Sequence, residues 1–77
     1  MLTKLPLLTA LEMTKVLRKL GFEFIRQEES HMFFEHPDGR TTVIPNHPSE
    51  EVDRGLLNKI VKHDLQIRRE EFLRLIK

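Results

Sequence analysis

Cysteine is missing from the 77 residues, which removes disulfide staples and thiolate-held zinc together and argues against a secreted, cystine-braced scaffold. Long apolar runs are missing too: Arg and Lys interrupt every candidate before it reaches the roughly 20 residues a membrane span needs. The stretch from Met1 to Leu11 carries one lysine and several leucines, but neither the apolar core nor the cleavage site of a signal peptide. The expected location is therefore cytoplasmic. Charge of one sign is scarce as well. Thirteen Lys and Arg against twelve Asp and Glu leave a net charge of +1, so any RNA contact must come from a local basic surface rather than whole-molecule steering. No pair of the four histidines has a helical or alternating spacing that suits a metal, so no metal or other cofactor is expected. Repeats, low-complexity segments and interdomain linkers do not occur.

What is present is the make-up of a small soluble globule. An apolar content of 39% with 32% charged residues gives no sign of disorder. The length allows one domain, residues 1–77, which buries only about 60% of its unfolded surface and so has a thin stability margin.

Thr9-Ala10-Leu11-Glu12 reads as a capping box, the Thr9 hydroxyl accepting from the Glu12 amide while the Glu12 side chain reaches back. Met13, Val16, Leu17 and Leu20 follow at helical spacing, with Lys15, Arg18 and Lys19 on the other side. Gly21 stands where a left-handed cap is wanted, so a first helix is predicted over about Ala10 to Leu20. Phe22 to Arg26 and His31 to His36 have the aromatic and β-branched content of strands. Pro37-Asp38-Gly39 supplies turn chemistry, and Arg40 to Ile44 returns as a third strand closed by Pro45. Asp53 is a candidate N-cap for a helix carrying Leu56, Leu57, Ile60 and Val61, ended by His63-Asp64, where Asp tolerates the left-handed conformation. A last helix is predicted from Arg68 to Ile76, with Phe72, Leu75 and Ile76 as its apolar contacts.

The order is α-β-β-β-α-α, an α+β chain with a three-stranded antiparallel meander. Three strands in so short a chain are covered on one face only, which leaves the other open. Alternation puts Met32 and Phe34 on the core side and His31, Phe33 and Glu35 on the open side. The expected core is Leu17, Leu20, Phe34, Val43, Leu57 and Ile60.

A set of short motifs runs through this framework. Gly21-Phe22, Arg26-Gln27, Ser30-His31, His36-Pro37-Asp38-Gly39-Arg40, Val43-Ile44-Pro45 and His47 are followed by Gly55-Leu56-Leu57, Ile60 and Glu70-Glu71-Phe72-Leu73. Together they resemble the pattern of the HicA-type (YcfA-like) toxins over nearly the whole chain. The resemblance implies a double-stranded-RNA-binding-domain-like fold, with helices on one face of the sheet. It also implies a toxin of a type II toxin–antitoxin system, a metal-independent mRNA interferase held inactive by a HicB-type antitoxin. The family's catalytic histidine, in its Gly-Ser-His motif, falls on His31. Three positions depart from the pattern: Glu29 where Gly is usual, Asn46 where a basic residue is common, and Asp64 where Gly is common. Glu28 and Glu29 place two carboxylates beside His31, where they repel phosphate.

Imidazole suits RNA cleavage without a metal because its unperturbed pKa lies near operating pH, so it can take the ribose 2′-hydroxyl proton or protonate the leaving oxygen. The plainer reading of His31 is a surface histidine beside a turn. If His36 pairs near Arg40 or Thr41, an antiparallel register sets His31 opposite Pro45 or Asn46 and brings His47 beside it. His47 then shares the acid–base work, binds phosphate, or is only a loop histidine before Pro48. His36 serves the turn, and His63 suits a helix C-terminus. Ser30 orients His31, contacts phosphate or merely turns the chain. Arg26, Arg40, Lys59 and Lys62 are candidate phosphate contacts or a solvated face, and Phe33 a stacking platform or a partly covered sheet residue. Three functions remain open: an endoribonuclease using His31, a non-catalytic RNA- or protein-binding module of the same fold, and a purely structural domain. Ser30-His31 on an open face favours the first, and the Glu28-Glu29 doublet favours the others.

Overall fold

Local chemistry at Thr9 starts the first helix in the computed structural model, which describes residues 5–76. The Met1 to Leu11 stretch therefore falls partly outside the described residues. Thr9 Oγ1 accepts from the Glu12 amide at 3.3 Å while Glu12 accepts from the Thr9 amide at 2.9 Å, closing the capping box that opens α1, Ala10–Leu20. Gly21 ends α1 with φ of 101°, a conformation that costs a residue with a Cβ about 1 kcal/mol or more. Phe22, expected to open a strand, instead sits buried in the connection.

The meander follows as β1 (Glu23–Glu28), β2 (His31–Glu35) and β3 (Thr41–Pro45), with β2 in the middle. Pairing is antiparallel throughout, and β1 carries a bulge between Phe24 and Arg26. The register sets Phe34 between Phe24 and Thr42, and Met32 between Gln27 and Ile44. These form the face toward the helices. On the other face lie Glu35 with Glu23 and Thr41, Phe33 with Arg26 and Val43, and His31 with Glu28 and Pro45.

Asp53 caps α2, Arg54–Lys59, accepting from the Gly55 and Leu56 amides at 3.0 and 3.3 Å. The helix then widens into a π-helical segment, Ile60–Leu65, closed by Gln66 at φ of 56°. The left-handed residue is thus Gln66, not Asp64 as the sequence led us to expect. Arg69–Ile76 forms α3. No helix among the described residues is long and apolar enough to cross a membrane.

The core gathers Met13 and Leu17 of α1, Phe34 and Ile44 of the sheet, Leu57, Ile60 and Leu65, and Phe72 of α3, all essentially inaccessible. Each such side chain contributes about 1.5–3 kcal/mol through burial. Of the six expected core residues, Leu17, Phe34, Leu57 and Ile60 are buried, and Leu20 packs against the cluster half-buried. Val43 is a correction: it pairs with Phe33 on the open face and is 36% exposed. Its place inward is taken by Thr42, whose hydroxyl is satisfied by Asp64 at 2.9 Å, so burial of a polar side chain costs little. Leu5, Leu8 and Val52 also join the core, where the Val52 amide donates to the Leu8 carbonyl and Arg54 to that of Leu5.

Candidate functional site

His31 opens the central strand directly after the two-residue connection Glu29-Ser30. The register sets it across from Glu28 on one side and Pro45 on the other. The side chain is exposed on the open face, and among the described residues its ring makes no hydrogen bond or ion pair. Ser30 is half-buried next to it, and its carbonyl accepts from the Asn46 amide at 2.6 Å, tying the hairpin to the end of β3. Glu29 is held at φ of 54°, a left-handed conformation that explains on geometric grounds why glycine is the easier residue there.

Arg26 stands on the same open face. Its Nε donates to Glu28 at 2.6 Å and its guanidinium lies 4.3 Å from the centre of the Phe33 ring. Phe33 is therefore capped by a cation rather than open on every side. Three carboxylates, Glu23, Glu28 and Glu35, share this face with Arg26 and His31. The open face leans acidic, with Phe33 and Val43 as its apolar centre.

Two of the expected site residues lie elsewhere. His47 lines a separate groove with Thr9, Leu11 and Pro48, and it is not part of the cleft that His31 borders. The register that sets His31 against Pro45 runs on one step, the Asn46 amide donating to the Ser30 carbonyl, and the chain then turns at Pro48-Ser49 with His47 beside the start of α1. Arg40 sits beyond the far end of β2. Its Nε donates to Asp38 at 2.9 Å, its Nη1 donates to the Leu65 carbonyl, and the guanidinium stands 5.3 Å from the Phe22 ring centre. Asp38 in turn is held below the usual carboxylate range, chiefly by the Arg40 amide, with the Arg40 guanidinium and His36 adding to it. His36 joins the same cluster through both ring nitrogens, one 3.1 Å from the Leu20 carbonyl and the other 3.1 Å from the Asp38 amide.

His31 also borders a cleft of about 590 Å³ between β3 and α2 with its π-helical extension. Val43, Pro45 and Leu56 form its apolar walls, and Lys59 and Asp64 its charged lining. Nothing in the residue order announced the parts played by Leu56 and Asp64; only the buried Thr42, which needs a partner, hints at Asp64. His63 and Lys62 are exposed on the π-helical segment, and Lys62 lines a different hollow with Leu5 and Ile67. Among the described residues, no three His, Asp or Glu side chains stand together as a metal site.

A family model described as the HicA toxin of bacterial toxin–antitoxin systems matches residues 11–65, from within α1 to the end of the π-helical segment. That span holds the whole sheet, His31 and the cleft. The chain belongs to the HicA toxin family. It is thus a toxin-family chain of a two-component system, in which an antitoxin is the natural counterpart. No curated protein sequence matches it.

Proposed function

We propose that this HicA-family chain is an endoribonuclease that cleaves mRNA with His31 as its catalytic acid or base. The observation that carries the reading is the state of His31: an exposed imidazole at the start of the central strand, unengaged by the fold, beside a cleft. In the reaction the ribose 2′-oxygen attacks phosphorus and the bond to the 5′-oxygen breaks. The products are a 2′,3′-cyclic phosphate and a 5′-hydroxyl. One proton leaves the 2′-hydroxyl and one reaches the departing oxygen; His31 carries one of these transfers and water the other. The scheme uses no metal. Ser30 positions the histidine, and Arg26, on the same face, contacts phosphate when it exchanges Glu28 for RNA.

A HicB-type antitoxin would silence such a site most simply by covering the open face and His31. Its own surface should offer cations to Glu23, Glu28 and Glu35 around an apolar centre that meets Phe33 and Val43. The same three carboxylates favour a second reading, a non-catalytic module of this fold that binds a protein partner. Purified chain, free of antitoxin and with EDTA present, separates the two. Cleavage of an RNA oligonucleotide that His31→Ala abolishes supports the enzyme. Wild type that leaves RNA intact, with Glu29→Gly equally inert, rules the enzyme out and leaves the binding module. His47→Ala should have a mild effect, and a loss as large as that of His31→Ala would mean a two-histidine mechanism.

A further inference from the structure

We propose that the cleft between β3 and α2 is a nucleotide subsite, in which Lys59 binds a phosphate of single-stranded RNA next to the bond that His31 cleaves. The inference rests on the endoribonuclease reading and adds to it the path of the substrate. The open sheet face is a poor path for a polyanion. Its one arginine has to exchange Glu28 before it meets a phosphate, and three carboxylates surround the apolar centre. The cleft carries a single carboxylate, Asp64, and a lysine held only by a long contact. Its walls, Val43, Pro45 and Leu56, are aliphatic and suit the flat face of a base. Its volume of about 590 Å³ lies within the range of small-ligand sites. His31 stands at its border, so a nucleotide seated there has its phosphate near the imidazole.

Lys59 is the lysine of this cleft, and its surroundings keep it available. Its Nζ lies 3.9 Å from Asp64 Oδ1, a long contact between side chains 61% and 22% exposed. A pair so open to water is worth little, so the ammonium can turn to a phosphate at small cost. Asp64 is itself anchored, since its other oxygen accepts from the buried Thr42 hydroxyl at 2.9 Å. The carboxylate therefore acts as a fixed rest that holds the lysine over the cleft until RNA arrives. Placement of Asp64 on the π-helical turn brings it back toward Lys59, five residues earlier, where an ordinary helix would offset the two.

Binding of a short single-stranded RNA to the uncut background, the His31→Ala chain, tests this by fluorescence anisotropy across a salt series. Adding Lys59→Gln should weaken binding about tenfold and make the slope of log K against log salt shallower by roughly 0.7, the share of one phosphate contact on a single strand. Lys59→Arg should restore both. Lys15→Gln, the same charge change on α1 beside Glu12, Val16 and Leu75, should shift affinity less than about twofold. In cleavage by the otherwise wild-type chain, Lys59→Gln should raise KM more than it lowers kcat. Equal behaviour of Lys59→Gln and Lys15→Gln would overturn the subsite and leave the His31 reading intact. So would a loss that Lys59→Arg does not repair, or failure of the His31→Ala chain to bind RNA at all. RNA that binds through Lys59 but is never cut by wild type would instead overturn the enzyme and keep the subsite.

Discussion

β2 starts at one histidine and runs out into another, the same side chain in opposite circumstances. His31 and His36 are five residues apart, about 17 Å along an extended strand. At the His36 end His36, Asp38 and Arg40 are knitted together. The ring reaches the Leu20 carbonyl and the Asp38 amide, meets Phe22 edge-on at a centroid distance of 5.1 Å, and lies so close to Gly21 that an added Cβ would stand 3.0 Å from Nε2. Arg40 then bridges Asp38 to the π-helical turn. One imidazole ties α1 to the β2–β3 turn and, through Asp38 and Arg40, to the π-helical segment. At the His31 end the imidazole locks nothing. An imidazole left outside the fold's own bonding is available to a ligand. The general lesson is that residue type does not separate a histidine built into the fold from one left outside it; its surroundings do.

The largest expected effect breaks that pairing in two directions. His31→Ala should lower the rate of RNA cleavage by about 10² to 10⁴, the usual worth of a positioned proton-transfer group. Its unfolding free energy should move by less than about 0.5 kcal/mol, as for other exposed positions. His36→Ala should do the reverse. Loss of two hydrogen bonds and a ring contact at a side chain 20% exposed should cost about 2 kcal/mol, a fall in Tm on the order of 10 °C, with the rate per folded molecule unchanged. Urea melts and single-turnover cleavage on both variants measure this. A His36→Ala chain that melts like wild type would undo the contrast.

Acid should affect the knitted end next. The Asp38 carboxyl is held below its ordinary range by the Arg40 amide and guanidinium, and the Glu12 carboxyl is lowered by the Thr9 amide and hydroxyl and by Lys15. A lowered folded-state pKa means that the unfolded chain takes up protons first as pH falls. The stabilisation is therefore complete above the ordinary carboxylate range and is lost as pH drops through it to the lowered folded values. Asp38→Asn should flatten the acid limb of a Tm-against-pH profile and leave the neutral region, apart from a constant offset, parallel to wild type. An acid limb identical to that of wild type would show that Asp38 does not titrate as part of this cluster.

Much of the fold was legible because its signals are local. The capping box of Thr9 and Glu12, the Gly21 stop and the Pro37-Asp38-Gly39 turn each specify geometry within four residues, and all three occur as read. Val43 shows where reading failed. Hydrophobicity placed it inside, yet the turn that sets His31 against Pro45 also sets Phe34 against Thr42, and parity then turns Val43 outward. Register should have outweighed side-chain type, because a strand cannot send adjacent residues to one face. His47 is a different case. The pairing continues through the Asn46 amide and the Ser30 carbonyl, and His47 lies past it, in a turn closed by the Glu50 amide on the His47 carbonyl, where alternation no longer fixes a side chain's direction. The cleft was not legible at all, since it depends on a π-helical widening that no periodicity of 3.6 announces.

The smallest effect sharpens the loose end of the comparison. Glu29 sits at φ of 54° immediately before Ser30-His31, and an L residue there costs about 1–2 kcal/mol. Glycine escapes that cost but gives up roughly 0.5–1 kcal/mol of chain entropy on folding, so Glu29→Gly should stabilise by only about 0.5 kcal/mol, a rise in Tm of about 2–4 °C. The same change removes a carboxylate from the approach to His31, and cleavage should rise with it. Charge and conformation separate with a second variant. Glu29→Gln loses the charge and keeps the strained backbone, whereas Glu29→Gly relieves both. If repulsion of phosphate is what restrains the site, both variants should cleave faster, and the gain should shrink as salt screens the charge. If the hairpin geometry restrains it, only Glu29→Gly should cleave faster, with a gain that salt leaves alone. The Gln27 side chain, which donates to the Glu29 carbonyl at 2.9 Å, should hold the hairpin in register in either variant. Thermal melts alongside the rates complete the test: Glu29→Gly must melt higher than Glu29→Gln, and equal melting temperatures would mean that the left-handed residue at this end of β2 carries no strain.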